Sequence, residues 1–229
     1  ESLRQEGGQY NQLIVAAFGT KQTPDAARID LTNVAAYASQ GGLLSLDEME
    51  GFAELKAQCL DGPMATNLFR GKYYGLPLDT NCKAAVMNMD VMAKLGFTQA
   101  PATMEEFIEA SRNSSAGKYT LNVSGTGDWD TYPYFWLFGG KLTDDGFTKA
   151  TGYMDSPESI AALQTMIDLH DAKVFTIRDI DGTPDAWDGI QTGEYAMFFE
   201  GPWFFSSIPS YADKNIIPAP IPAYNGKSA

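Results

Sequence analysis

The segment that most constrains this chain is an apolar run closed by a corner, Gly193-Glu-Tyr-Ala-Met-Phe-Phe-Glu-Gly-Pro-Trp203. Residues 195–199 have the apolar composition of a buried strand, whereas Gly201 and Pro202 cannot continue a strand ladder. The corner therefore places Trp203 at the C-terminal end of a strand, the edge at which open α/β sheets bind ligands. Because an indole is a flat apolar plate with one polar edge, Trp203 is either a core residue or a stacking surface for a ring such as a sugar.

Composition excludes several classes of function. The chain has 229 residues, of which 44% are hydrophobic, so it can bury a substantial core in one large or two small domains. The net charge of −13 and the absence of a dense Lys/Arg cluster argue against nucleic-acid binding. No stretch of 18 apolar residues occurs, so the sequence predicts no membrane-spanning helix.

The residues that most often carry catalysis or metals are scarce. The one histidine, His170, lies near the end of a predicted helix without a cluster of partners, so we predict neither a His-dependent catalytic site nor a metal site. Cys59 and Cys82 belong to no CxxC or Cys/His motif, and either one disulfide or two free thiols fits their spacing. No motif indicates a cofactor.

Turn, cap and periodicity signals predict an α/β chain. Thr103 and Glu106 form a capping box that opens a helix reaching residue 112. Ser156-Pro157 opens another helix, in which Ile160, Leu163 and Ile167 form the predicted buried stripe. The remaining predicted elements are a strand at 25–31, a helix at 33–39, a hairpin with its turn near Arg70-Gly71, a strand at 84–88, a helix at 90–95, a strand at 119–123, a Gly-rich loop, a helix at 132–138 and a helix at 185–192.

Four motifs follow one another in a fixed order: Gly71-Lys-Tyr-Tyr-Gly-Leu-Pro-Leu-Asp-Thr-Asn81, Met87-Asn-Met-Asp90, Pro101-Ala-Thr-Met-Glu-Glu-Phe107 and the 193–203 run. They are similar to the signatures GKxYGLPxDTN, YNxD, PxTWxEF and GxAAMxxxGPW. Each motif is weak alone, but their order and spacing across about residues 25–225 resemble the family 1 extracellular solute-binding proteins of ABC importers, the group that contains maltose-binding protein.

This resemblance implies a two-lobed, periplasmic-binding-protein-like α/β fold of type II. Lobe one would cover residues 1–80 and lobe two residues 84–229, with a hinge crossing near 78–85. The family's usual N- and C-terminal segments have no counterpart in the chain, so we expect an internal portion of the usual sequence. The implied function is an extracytoplasmic component, periplasmic or a cell-surface lipoprotein, that binds a carbohydrate in an inter-lobe cleft. It would deliver this ligand to the permease subunits of an ABC transporter and meet the membrane only through an anchor or the transporter.

The resemblance also implies the ligand-binding residues. Trp203 matches the family's stacking tryptophan, and the loop Gly127-Asp128-Trp129-Asp130 lies where the family places acidic and aromatic contacts. Carboxylates give strong hydrogen bonds to hydroxyl groups. The full predicted set is Trp203, Asn81, Asp128, Trp129, Asp130, Asn33, Asp79 and Glu200.

Three alternatives stay open at this stage. A cationic or peptide-like solute would suit the acidic residues Asp79, Asp128, Asp130 and Glu200 in the same fold. The chain could instead dock to a permease without a ligand of its own. A glycosidase is less favoured, because two carboxylates at positions i and i+2 of one loop are poorly placed to flank a glycosidic bond.

Overall fold

The computed structural model describes residues 8–20, 22–113 and 120–227. The backbone separates into two units, Glu1–Thr80 and Asn81–Ala229, here called the first and the second unit. This division falls inside the segment 78–85 where the sequence places a hinge. That the units act as the lobes of a binding protein, joined by a moving hinge, stays a prediction.

The first unit is mainly helical. Its hairpin turns at Arg70 and Gly71, whose φ angles of 49° and 77° are both left-handed, as a two-residue hairpin loop requires. The turn near these residues is therefore confirmed. The elements of the unit are α1 (Gly8–Thr20), α2 (Leu31–Ser39), α3 (Phe52–Lys56), α4 (Asp61–Ala65), β1 (Leu68–Phe69) and β2 (Lys72–Tyr73).

The strand predicted at residues 25–31 is wrong. The backbone there forms no strand, and Asp30 instead caps α2 by accepting hydrogen bonds from the Thr32 backbone N–H and hydroxyl at 3.1 and 3.0 Å. A cap of this kind satisfies an otherwise unpaired N–H of the first helical turn. The local cap thus decides the structure of a segment whose composition also fits a strand.

The second unit is built on a mixed five-stranded sheet. Its elements are β3 (Ala84–Asn88), α5 (Met89–Lys94), α6 (Met104–Arg112), β4 (Leu121–Val123), α7 (Asp128–Leu137), α8 (Pro157–Asp171), β5 (Phe175–Ile177), α9 (Arg178–Asp181), α10 (Ala186–Thr192), β6 (Met197–Glu200), α11 (Trp203–Ser207) and β7 (Ile216–Ala219). The strand order is β5-β4-β6-β3-β7. Strands β5, β4 and β6 run parallel, and β3 is antiparallel to both β6 and β7.

Most predicted elements of this unit are confirmed. Thr103 caps α6 by accepting a hydrogen bond from the Glu106 N–H, and Ser156 caps α8 with Pro157 in the first turn. Strand β3 has the predicted bounds, and β4 falls within the predicted strand at 119–123, although Tyr119 lies outside the described residues.

The two faces of the sheet carry separate apolar cores. On one face, β3, β4, β5 and β6 pack against α5 to α8 through residues that include Met87, Leu121, Phe175, Met197 and Phe199. On the other face, Val86 and Phe198 pack against α10 and α11. Alternation of neighbouring residues between the faces is the period expected of a strand.

The predicted buried stripe of α8 is wrong. Ile160, Leu163 and Ile167 are 59%, 50% and 53% exposed, and the buried face instead carries Ser159, Ala162, Met166 and Leu169. Ser159 belongs there because its hydroxyl donates to the Tyr153 carbonyl at 2.7 Å and accepts from the Lys141 N–H at 3.0 Å. The helix therefore buries the face that carries Ser159, and Ala162, Met166 and Leu169 of this face join the apolar core.

Candidate functional site

The C-terminal ends of β4 and β6 meet at one edge of the second unit's sheet. Since the two strands are parallel, the segments after Val123 and after Glu200 leave the sheet side by side. Ala84 pairs with Glu200, so Lys83 enters β3 at the same edge. Three separate parts of the sequence thus contribute side chains here.

Two tryptophans stand against each other at this edge. The ring centroids of Trp129 and Trp203 are 5.4 Å apart, with an angle of 38° between the planes. Trp129 is 46% exposed and Trp203 is half-buried. Of the predicted site residues, these two are brought into direct contact, and they offer a partly exposed aromatic surface.

Trp129 belongs to a helix, so the predicted loop at 127–130 is wrong in its conformation. Helix α7 begins at Asp128, and the Asp130 and Thr131 N–H groups donate to the Gly127 carbonyl at 3.1 and 3.0 Å. The helix therefore begins four residues before Tyr132, where we had placed its start. Helical geometry fixes the direction of Trp129 and Asp130 more firmly than a loop would.

The ring of Trp203 rests on the backbone of Gly201. A Cβ atom added to Gly201 would lie 2.2 Å from Cη2 of that ring, a distance that real side chains do not show. The Glu-Gly-Pro-Trp corner therefore needs glycine for close approach of an indole, in addition to ending the strand. Pro202 follows as the residue before the short helix α11.

Glu200 stabilises this corner through hydrogen bonds of its side chain. Its side chain is buried; Oε2 accepts a hydrogen bond from Trp187 Nε1 at 2.9 Å, and Oε1 accepts from the Gly201 N–H at 2.8 Å. Both carboxylate oxygens are thus engaged within the chain. The sequence had placed Glu200 among the ligand contacts; that role stays a prediction, and the hydrogen bonds of Glu200 within the chain give it a structural role as well. Trp187 was missed, because nothing in its local sequence distinguishes it from a core tryptophan.

Lys83 was also missed, and it borders the tryptophan pair. Its ammonium group lies 4.5 Å from the centroid of the Trp129 ring and donates to the Phe199 carbonyl at 3.4 Å. Burial lowers the pKa of Lys83, and the nearby Glu200 and Asp130 carboxylates oppose that shift. A cation thus already occupies one face of Trp129.

Asp130 places a half-buried carboxylate at the edge that carries the tryptophan pair. Burial raises the pKa of Asp130; Lys83 lowers it, and Glu200 raises it further. No side-chain hydrogen bond to this carboxylate comes from the described residues, although Asp179 lies near it across Gly125. A half-buried carboxylate without such a partner can accept hydrogen bonds from a ligand.

The other predicted contacts have varied surroundings. Asp79 forms an ion pair with Arg28 at 2.9 Å within the first unit, and both side chains are largely exposed. Asn33 is half-buried on α2, and Asn81 is exposed. Asp128 is exposed and accepts a hydrogen bond from the Trp129 N–H at 2.8 Å. Their contacts with a ligand stay predictions.

Other chemistry-bearing residues lie apart from this edge. Among the described residues, no group of three or more His, Cys, Asp or Glu side chains is placed to hold a metal ion. His170 Nε2 lies 2.8 Å from Asp181 Oδ1. Burial opposes ionisation of Asp181, but hydrogen bonds from Thr176, His170 and the Ile177 N–H lower its pKa to about 2. Cys59 and Cys82 are free thiols.

Within the described ranges, no helix is long and apolar enough to cross a bilayer.

Comparison with known proteins identifies the family. The model of the bacterial extracellular solute-binding proteins matches residues 3–227. The chain belongs to this family. The diacetylchitobiose-binding protein DasA of Streptomyces coelicolor is 28% identical over 103 residues, which are 45% of this chain and 24% of DasA.

Solved structures agree with this assignment. The GacH receptor of Streptomyces glaucescens, studied without ligand and with acarbose, superposes with a TM-score of 0.81 at 24% identity. The superposition covers 99% of this chain and 59% of GacH. Maltose-bound MalE3 of T. maritima gives a TM-score of 0.75 at 26% identity, over 96% of this chain and 58% of MalE3. The α/β, periplasmic-binding-protein-like fold is thereby confirmed, and the chain spans less than two thirds of the length of these relatives.

Proposed function

We propose that this protein is the solute-binding component of an ABC importer and that it binds a neutral carbohydrate at the edge that carries Trp129 and Trp203. It would act outside the cytoplasm and deliver its ligand to permease subunits. The observation that supports the proposal most directly is the tryptophan pair beside the carboxylate of Asp130, which accepts no side-chain hydrogen bond from the described residues. The named relatives and structural neighbours are binding proteins, several with sugars in their names or complexes.

The chemistry of the edge suits a sugar. A pyranose ring has apolar C–H faces, which an indole plate covers, and a polar rim of hydroxyl groups. Asp130 can accept charge-assisted hydrogen bonds from that rim. The aromatic surface and the carboxylate thus supply the two kinds of contact that a sugar needs.

The position of Lys83 favours a neutral ligand over a cationic one at Trp129. Lys83 stands 4.5 Å from the Trp129 ring centroid, so a cationic ligand approaching this ring would meet a positive charge already in place. The two carboxylate oxygens of Glu200 already accept hydrogen bonds from Trp187 and Gly201, so they are less free to contact a cation directly. A cationic or peptide-like solute is therefore the second candidate, to be included in any binding screen.

Titration calorimetry with maltose, acarbose and diacetylchitobiose tests the proposal, with spermidine as the cationic probe. Trp203→Ala should weaken carbohydrate binding by about 1–3 kcal/mol, which is roughly tenfold or more in affinity. Trp136→Ala is the control, because Trp136 is a 49% exposed tryptophan of the same unit that contacts Tyr132 instead of the tryptophan pair. Binding should survive in the control.

Three results would contradict the proposal. Release of a hydrolysed product would identify an enzyme, and saturable binding of spermidine alone would favour a cationic solute. If Trp203→Ala unfolds the chain but leaves the affinity of the folded fraction intact, Trp203 is a core residue. Closure of two lobes around the ligand stays a prediction, which compaction in small-angle scattering on addition of a binding sugar would check.

A further inference from the structure

The ladder between β4 and β6 is interrupted at the edge that carries the tryptophan pair. The Met197 N–H donates to the Thr120 carbonyl at 3.1 Å, and the paired residues end at Asn122 and Phe198. In a parallel ladder the next bond would run from the Phe199 N–H to the Asn122 carbonyl, two residues further along both strands. A side chain stands in the place of that bond.

The side chain is Tyr134 of α7. Its hydroxyl donates to the Asn122 carbonyl at 3.0 Å and accepts from the Phe199 N–H at 3.2 Å. The hydroxyl is therefore an inserted rung that joins the two strands and holds them apart. Because the two backbone groups do not bond to each other here, they would be unpaired in the interior without the hydroxyl, which is costly.

Packing fixes the position of this hydroxyl. Tyr134 is 1% exposed, and its ring stacks on Phe199 with centroids 4.3 Å apart and planes 6° from parallel. The rings of Tyr134 and Phe175 are nearly perpendicular, with their centroids 5.4 Å apart. Burial raises the pKa of Tyr134 far above its ordinary range, so the hydroxyl keeps its proton and stays a donor.

The two segments that Tyr134 joins are the ones that carry the aromatic pair. Trp129 lies on α7, five residues before Tyr134, and Trp203 follows Phe199 by four residues through the corner at Gly201. We propose that Tyr134 is a positioning residue whose inserted hydroxyl sets the placement of Trp129 relative to Trp203. The effect on ligand affinity rests on the function proposed above, whereas the effect on the tryptophan pair does not.

The test removes one oxygen atom. Tyr134→Phe keeps the stacked ring and loses the rung. Tyr195→Phe is the matched control, because Tyr195 is also buried and its hydroxyl also makes hydrogen bonds, to the Pro184 carbonyl at 2.7 Å and with Thr183, on the other face of the sheet. The readouts are the exciton couplet of the paired indoles in circular dichroism, assigned by its loss in Trp203→Phe, the exchange rate of the Phe199 amide hydrogen, and maltose affinity.

Tyr134→Phe should reduce the couplet without ligand, speed exchange at Phe199 and weaken binding by about two- to tenfold, the range that corresponds to one hydrogen bond. Tyr195→Phe should change none of the three, even if it lowers the melting temperature as much. An unchanged couplet in Tyr134→Phe overturns the proposal, and so does an equal loss in both variants. A reduced couplet in a protein that binds no carbohydrate supports the positioning role and refutes the proposed function.

Discussion

Substitution of Gly201 by Ala probes the support beneath Trp203. The new methyl carbon would lie 2.2 Å from Cη2 and 2.4 Å from two further ring atoms, whereas ordinary contacts begin at 3.4 Å. The indole must therefore move by about 1.2 Å, because the other side of the contact is the backbone itself. Such a displacement takes the ring out of its arrangement with Trp129.

The expected loss follows from the contact that is removed. If the displaced indole no longer stacks on the ligand, carbohydrate affinity should fall by about 1–3 kcal/mol, as in Trp203→Ala. Stability should change less, because the half-buried ring can move towards solvent. Titration calorimetry measures the affinity, and circular dichroism reports the tryptophan pair and the melting temperature.

Gly127→Ala is the control for this experiment. Gly127 stands at the start of α7 with φ −67° and ψ 164°, which alanine adopts freely, and its added Cβ would meet only Asp130 Oδ2 at 3.8 Å. It should lower stability by at most about 1 kcal/mol through the poorer cap and leave the couplet unchanged. Wild-type affinity in Gly201→Ala would refute the reasoning, since it would show that the position of Trp203 does not matter.

Three polar groups of the second unit give further tests. Asp130→Asn should raise the melting temperature at neutral pH while weakening sugar binding, because burial raises the pKa of Asp130 in the folded state. The cost of ionising it develops as the pH rises above 3.8, so the gain should vanish in acid, and a pH-independent gain would contradict this account. Asp181→Asn should lower the free energy of unfolding by about 2 kcal/mol at neutral pH, since its folded pKa is about 2 against an ordinary 3.8. That contribution is present above pH 3.8 and is lost as the pH falls towards 2, so acid titrations of variant and wild type should converge. Asn122→Leu should be neutral or stabilising in denaturant unfolding, because its buried side-chain amide has no partner among the described residues; a loss above about 1 kcal/mol would show that the amide binds an internal water.

Sequence signals predicted several turns and helix starts, because these features depend on interactions between neighbouring residues. The left-handed turn at Arg70-Gly71 and the caps at Thr103 and Ser156 depend on two to four neighbouring residues, and each occurs as expected. The predicted buried stripe of α8 failed because periodicity does not say which face meets the core. Ser159 is drawn inward by partners at Lys141 and Tyr153, which no helical pattern reveals.

The candidate site was also predicted only in part. Trp203 and Trp129 could be selected from residue type and motif, but their contact depends on how α7 crosses the end of β6. Lys83 escaped notice because a single lysine before a strand carries no signal until the pairing of Ala84 with Glu200 brings it to the edge. One hydrogen bond of Glu200 also depends on Trp187, which lies on α10, outside the motif.

The bond that Asp181 makes to the Ile177 N–H has a consequence for association. Ile177 ends β5, an edge strand of only three residues, and its N–H already donates to the carboxylate at 2.9 Å. At the opposite edge, Pro218 in β7 has no N–H to offer. Each edge strand thus lacks a free N–H group that a foreign strand would need for pairing. Such pairing is the route by which exposed edges aggregate. We therefore expect a protein partner of this unit to recognise side chains rather than to extend the sheet.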